Sequence, residues 1–534
     1  MTAFAATGAL TRFALRRERA RLTTLTVVLV GLLALSVPAL AKAYATAEQQ
    51  QERAKLMRTP VGIIFGGPGY GLGHYTIGPM VVNEMLPVLV IALIIVNVLI
   101  VIRHTRAEEE TGRAELIRAA AVGRRAPITS ALLTCLAGDV VIGALTALVL
   151  AGGNLPAADS AATGLGLALT GLSFAAITVV IAQVTAHART AVGLSALAFG
   201  GLYLLRVLGD FVAPGGSTLS WFSPSEWVFQ ARPYVELRWW PLALHAILFV
   251  VAVPVAYLLA AHRDVGTGLV APRPGPAVAG RWLSGTLALH LRLQRGTVIT
   301  WTIVAALLGL FYGGLSSQVS GMFQKNPDTI RMFGGDLSRI TDGFLATMLV
   351  YVSILSTIVA IVSVTRIRSE ERDGRAEIVL ATPTGRVRWM GTALLTGAVT
   401  ATVTQILGGF CLALTASGAL RDPGLLGTLS LATFNYLPIP LLFAGVAALV
   451  FGLFPRAATA LPWALLGLGL AVTLLSGLIE LPAWMKKLSP FNIPALVPLQ
   501  DVDATPLLAM GGAAVVAAAL GLVAFRLRDL AATA

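Results

Sequence analysis

Runs of about twenty apolar residues, each enough to cross a hydrocarbon layer as a helix, recur along this chain with polar breaks between them. Twelve such runs start near Leu22, Val81, Ile128, Ala161, Thr190, Trp239, Thr297, Gly343, Trp389, Leu426, Ala458 and Thr505. The runs around Asp139 and Arg206 are less cleanly apolar than the rest. The pattern predicts an all-α polytopic membrane protein with about 12 transmembrane helices.

Composition agrees. Of 534 residues, 56% are hydrophobic and only 12% charged, and the mean hydropathy is +0.80. A soluble domain carries about 25% charged residues, so that class is excluded. The net charge of +13 in a soluble protein would point to nucleic acid; in a membrane protein it points to basic segments at the cytoplasmic face beside anionic lipid, and no nucleic-acid partner is expected. With a cytoplasmic N-terminus and alternating spans, 26 Lys and Arg fall inside and 13 outside. Both termini are then cytoplasmic, and the expected location is the bacterial cytoplasmic (inner) membrane. Lys42, Lys55, Lys325, Lys486 and Lys487 all fall outside. The first span follows Arg12, Arg16, Arg17, Arg19 and Arg21 and ends in Ala39-Leu40-Ala41, which fits a signal-peptide cleavage pattern. The same arrangement recurs internally, with Arg292 and Arg295 before the seventh span, so the first span is expected to be a retained anchor.

The chain reads as a tandem duplication. Residues 106–124, RAEEETGRAELIRAAAVGR, match residues 368–386, RSEERDGRAEIVLATPTGR, at an offset of 262 with 10 of 19 identities. Weaker echoes pair Phe65-Gly66-Gly67 with Phe333-Gly334-Gly335, Ser223-Pro224 with Ser489-Pro490, Trp240-Pro241-Leu242 with Thr505-Pro506-Leu507, and Arg263-Asp264 with Arg528-Asp529. The unit is six spans, and the two units are parallel repeats. The expected organisation is a first six-helix half over 1–262, a cytoplasmic linker and interfacial helix over 263–296 containing Pro272, Pro274 and Pro276, and a second six-helix half over 297–534.

The matched segment follows spans two and eight. Glu and Arg residues precede apolar Leu116 and Ile117, or Ile378 and Val379, which suits a short amphipathic helix outside the bilayer. A charge run is usually a solvated loop with salt bridges. This one, however, is better preserved between the halves than the spans are, which favours a shared docking surface.

The second copy, SEERDGRAEIVLATPTGR, resembles the cytoplasmic loop of ABC-2 type transporter permeases, and the whole chain resembles their fused twelve-span actinobacterial members, described as antibiotic or multidrug exporters. The first copy departs from the pattern, with Ala121 where Pro383 stands in the second. The resemblance implies a permease subunit of an ATP-driven exporter that moves drug-like or lipid-like amphiphiles outward. Two copies of a separate ATPase subunit would dock on two coupling helices, which carry Glu108, Glu109, Gly112, Arg113, Glu115, Gly123 and Arg124 in the first half and Glu370, Glu371, Gly374, Arg375, Glu377, Pro383, Gly385 and Arg386 in the second. It also implies interfacial helices at Arg12–Arg21 and Arg292–Arg295.

No lysine follows a glycine, so a P-loop is absent. The chain is therefore expected to be no enzyme and to bind no cofactor, with ATP and Mg held by the partner. Cys135 and Cys411 lie in apolar runs, and His74, His104, His187, His245, His262 and His290 lack ligand spacing, so no metal site is expected. The alternative is a proton-driven secondary transporter of the 6+6 type, which also repeats a Gly/Arg-rich loop; against it, these loops are longer and Glu-rich. A membrane scaffold or lipid-handling protein is a third class.

Ionisable groups at membrane depth mark candidate pathway residues: Asn97, Asp139, Arg206, Glu84 and Asp342. For Asp139, an ion pair or hydrogen bond with a neighbouring helix and a contact for cationic substrate or a gating role stand equally open. Arg206 and Asp210, four apart, are expected to pair on one helix face. Glu84 and Asp342 either line an exit or face water. Asn97 and Gln405 are expected to bond between helices. The repeated Ser-Pro suggests short outer helices.

Overall fold

The computed structural model describes residues 2–58, 62–63, 66–213, 215–270, 277–324, 337–478 and 482–529. The Phe65 and Phe333-Gly334-Gly335 echo, Lys325, and the linker prolines Pro272, Pro274 and Pro276 involve residues outside this set. The chain divides into two compact units, Met1–Gly275 and Pro276–Ala534. Their boundary falls inside the expected linker.

The first unit contains α1 (Thr7–Ala43), α2 (Ala47–Met57), α3 (Ile77–Glu84), α4 (Leu86–His104), α5 (Arg106–Glu110), α6 (Arg113–Arg118), α7 (Ala126–Gly152), α8 (Ala157–Val184), α9 (Ala188–Val212), α10 (Trp227–Gln230) and α11 (Trp240–Ala261). The second contains α12 (Thr286–Gln324), α13 (Leu337–Arg372), α14 (Arg375–Leu380), α15 (Arg386–Leu420), α16 (Gly424–Asn435), α17 (Pro438–Leu453), α18 (Ala460–Leu478), α19 (Ala483–Lys486) and α20 (Ala504–Leu527).

Among the described residues 11 helices are long and apolar enough to cross a membrane. The span expected near Ala458 is α18, whose apolar stretch over Ala460–Thr473 is shorter. Proline at the first turn of α4, α7, α11 and α17 supplies the helical φ where an N–H would have no partner.

In the first unit α8 is the most enclosed span. It packs on α7, α11 and α4, and α1 lies against α7. In the second unit α15 packs on α12 and α13, and α17 on α20. The tight crossings rest on small residues, which let backbones approach without any hydrophobic drive from lipid. A Cβ on Gly143 would collide with the Gly164 carbonyl, and one on Gly452 with the carbonyl of Gly521.

The Arg-rich stretches are not separate interfacial helices. Arg12–Arg21 are the opening turns of the 37-residue α1, and Arg292–Arg295 lie inside the 39-residue α12. At 1.5 Å per residue these helices exceed a ~30 Å hydrocarbon layer, so their basic ends emerge without any break. The second unit's first helix thus begins at Thr286 rather than near 297.

Candidate functional site

The duplicated loop is built the same way in both units. A left-handed glycine, Gly112 (φ 74°) or Gly374 (φ 73°), ends the charged segment and starts a separate six-residue helix, α6 or α14. The Glu/Arg run is therefore not itself the free helix. In the first unit it forms α5, set off from α4 at Thr105; in the second it is the unbroken end of α13.

The glutamates are largely committed inside the chain. Glu109 takes both terminal nitrogens of Arg263, at 2.7 and 2.8 Å, and Arg106 at 2.9 Å. Glu371 takes both terminal nitrogens of Arg528, at 2.7 and 2.9 Å, and Arg368 at 3.5 Å. Arg106 and Arg368, Glu109 and Glu371 are each 262 apart, and Arg263 and Arg528 are 265 apart, so one Arg–Glu–Arg triad occurs twice. The loop arginines complete the grip. Arg124 donates to the carbonyls of Ala260, Ala261 and Arg263 at 3.0–3.2 Å, and Arg386 to those of Arg526 and Arg528 at 3.5 and 2.6 Å. An arginine at the carbonyl end of a helix satisfies orphan acceptors and the negative end of its dipole.

The remaining matched residues divide into tied and free. Glu108 meets Arg17 of α1, with Arg113 at 3.9 Å. Glu370 meets Arg375 at 2.7 Å, and Arg375 also meets Asp373 at 3.0 Å. The hydrogen bond that Arg375 donates to Glu370 holds its guanidinium above the ordinary range. Gly123 is crossed by the N-terminal strand of chain, bonding to Ala5 while Arg125 bonds to Ala3, whereas the space at Gly385 is open. Glu115, Glu377 and Pro383 are exposed. Beside the first two stand Leu116 and Ile378, 77% and 73% exposed, at equivalent places on α6 and α14. Each unit therefore presents one acidic–apolar tip on a short helix that follows, across the glycine, a charged segment tied by an Arg–Glu–Arg triad to the end of the unit's last span.

The family model described as "Multidrug efflux system permease Rv1217c, C-terminal domain" matches residues 283–526. The chain is also 33% identical over 543 residues to "Multidrug efflux system permease protein Rv1217c" of Mycobacterium tuberculosis, with 99% of this chain and 96% of that protein covered. The chain belongs to the Rv1217c family of multidrug efflux system permeases.

In this permease the candidate pathway residues separate into two environments. Asn97 and Asp139 meet at mid-span: the Asn97 amide donates to both Asp139 oxygens, at 3.0 and 2.8 Å, and the pair packs on Gly171. No ion pair to Asp139 occurs among the described residues. The positions 262 further on are Val359 and Ala401, so this polar contact exists in one unit only. It realises the helix–helix bond open from the sequence. Gln405 donates to the Thr433 carbonyl at 3.5 Å.

Arg206 and Glu84 belong to the opposite end of the first unit from the loop, and Asp342 to the second unit. Arg206 pairs with Asp210 at 3.0 Å, as its spacing predicts, and also with Glu226 at 3.4 Å, a partner sequence reasoning missed. Ser220 donates to Asp210 and Gln230 to Glu226, at 2.8 and 2.7 Å, and Tyr203 and Phe229 cover the guanidinium. Burial pushes the Glu226 carboxyl well above the usual range; repulsion from Asp210 adds to this and Arg206 opposes it. The Glu84 side chain is 5% exposed and so does not face water. Arg53 of α2 clamps it at 2.8 Å and Tyr75 bonds it at 3.1 Å. Asp342 is half-buried near the start of its span. The repeated Ser-Pro elements sit among short helices, Ser220–Phe222 and α10 in one unit, α19 and Pro490–Asn492 in the other.

Proposed function

We propose that this permease is the membrane subunit of an ATP-driven exporter of drug-like or lipid-like amphiphiles, working with two copies of a separate ATPase that holds ATP and Mg. The observation that carries this reading is the pair of exposed tips, Glu115-Leu116 and Glu377-Ile378, at matched positions behind Gly112 and Gly374. An exposed apolar side chain beside an acid, presented twice, is what a partner groove needs as an anchor. The relative's name, a multidrug efflux permease, supports the substrate class.

In this reading the loops and both termini are cytoplasmic. Closure of the ATPase pushes on α6 and α14. The glycine breaks let these helices tilt as units, and the triads pass the displacement to α11 and α20, the last spans of their units. Spans two and eight receive it directly, because α5 leads out of α4 and the charged end of α13 is continuous with its span. A rearrangement of each six-helix unit around its tied end then alternates access.

The test is removal of residues 108–124 and 370–386, one at a time, with capture of the co-expressed ATPase subunit as readout. Undiminished capture in both deletions sinks the coupling claim. Transport in vesicles driven by a proton gradient without ATP would establish the secondary-transporter reading instead.

A further inference from the structure

A cavity of about 70 Å³ lies inside the loop end of the first unit. Its polar wall holds four arginines, Arg17, Arg118, Arg124 and Arg263, against two carboxylates, Glu108 and Glu109. Three of the arginines are already engaged, with Glu108, with helix-end carbonyls and with Glu109. Arg118 has no hydrogen-bonding or ion-pair partner among the described residues. Burial lowers its guanidinium below the ordinary value; Glu109 opposes this, and Arg263 and Arg124 add to it. Arg118 is exposed at the cavity's edge, and with Arg124 and Arg263 close to it and no carboxylate bonded to it among the described residues, it is placed to take an anion.

The other wall is apolar. Leu10, Phe13 and Ala14 of α1 face Pro127 and Ala260 across the cavity, and Phe13 is 58% exposed at the rim. All of this lies where α1, α4, α7 and α11 reach the loop end, the level of lipid headgroups on a spanning bundle.

The second unit shows why this space is open. The counterpart of Pro127, at the loop's offset of 262, is Trp389, and that of Ala260, at the triad's offset of 265, is Phe525. Both aromatic side chains are fully buried and in ring contact at 5.6 Å. Phe451 stacks on Phe525, and Arg528 lies over both phenyl rings at 4.9 and 5.0 Å. Arg118 is replaced by Leu380. One unit fills the position with rings and drops the arginine; the other keeps it hollow and adds a cation.

We propose that this cavity binds a phosphate group, that of an anionic phospholipid whose acyl chain leaves past Leu10 and Phe13. The guanidinium fork matches phosphate oxygens, and the apolar wall beside it suits the start of an acyl chain. The site is independent of what the permease transports.

The test uses the full-length protein, purified and delipidated, with phosphatidylglycerol, phosphatidylcholine or inorganic phosphate as the added probe. Retained lipid is read by native mass spectrometry and phosphate binding by thermal shift. Arg118→Leu copies the second unit's residue and should weaken phosphatidylglycerol retention roughly fivefold, the effect of one interfacial cation. Ala260→Phe copies its filled state and should abolish the specific retention. Because each substitution imports a side chain the sister unit already accommodates, an unchanged melting profile without added probe reports an intact fold. Stabilisation by inorganic phosphate equal to that by phosphatidylglycerol, lost in Arg118→Leu, would keep the phosphate site and identify its source as the free anion. Equal retention of the two lipids with no stabilisation by phosphate overturns the proposal. Wild-type retention in both variants overturns it as well.

Discussion

Glu371 and Arg528 lie 157 residues apart yet form a two-pronged ion pair at 2.7 and 2.9 Å, with the glutamate side chain only 2% exposed. Glu109 and Arg263 repeat it. Removing Glu371 leaves the Arg528 charge partly buried without its carboxylate, which costs up to about 3 kcal/mol, and removing Arg528 leaves Glu371 with the longer contact to Arg368 alone. Glu371→Gln and Arg528→Met are each expected to lower the melting temperature clearly, and their double variant to lose much less than the two losses together. A thermal double-mutant cycle checks this. Simple additivity would show that the pair is not a unit.

At the other end of the first unit, two carboxylates share one arginine. Glu226 sits with its acid group raised well above the usual value by burial. A raised acid binds its proton more tightly in the folded state, so its contribution to stability is complete below the ordinary carboxylate range. That contribution is lost as the pH climbs through the raised folded value. Glu226→Gln, which keeps the size of the side chain and leaves Arg206 to Asp210 alone, should flatten the decline of thermal stability toward alkaline pH. Arg206→Met leaves two buried acids without a cation and should fail to accumulate as folded protein. A steeper alkaline decline in Glu226→Gln would reverse the assignment.

The helical spans were legible because hydrocarbon enforces one rule on every crossing segment, and the loop duplication because its charged residues match without a gap. The triads were not read from it. The signal was present as two separate echoes, the loop at one offset and Arg263/Arg528 at another three residues larger, but nothing in either says that an acid in the first reaches an arginine in the second. Preservation of the loop thus has an internal cause alongside any docked partner, since Glu109, Glu371, Arg124 and Arg386 hold the last span of their own unit. Glu226 was not legible because it lies 20 residues beyond Arg206, past the end of α9 at Val212 and an irregular segment, and helical spacing carries no information past the helix end. The ion pair of Glu84 was not legible because its partner, Arg53, is on a short polar helix outside the spans.

Asp139 tells the two energy sources apart. Its carboxylate is 1% exposed and bonded by Asn97. If the role is helix–helix bonding, Asp139→Asn keeps a polar partner in place and should leave ATP-driven transport intact in reconstituted vesicles. Asn97→Leu, which strands the acid, should destabilise by about 1–3 kcal/mol or more. Loss of transport in Asp139→Asn with normal folding and ATPase capture would assign the carboxylate to proton movement or substrate contact.

The tips make the last prediction. Leu116 and Ile378 are largely exposed and hold little of the chain's own core, so Leu116→Asp and Ile378→Asp should leave the melting profile nearly unchanged, as surface substitutions do. Each should weaken capture of the ATPase subunit, and the pair together should abolish it, because an apolar anchor replaced by a charge turns a favourable burial into a desolvation cost. The two need not weigh equally. Pro383 stiffens the exit from the second helix, while the first copy has Ala121 and is crossed at Gly123 by the N-terminal residues. The stiffer second copy has less freedom to lose on docking, so Ile378→Asp should cost more capture than Leu116→Asp in a side-by-side titration. Full capture by the double variant would separate the tips from coupling and leave the triads as the loops' whole purpose.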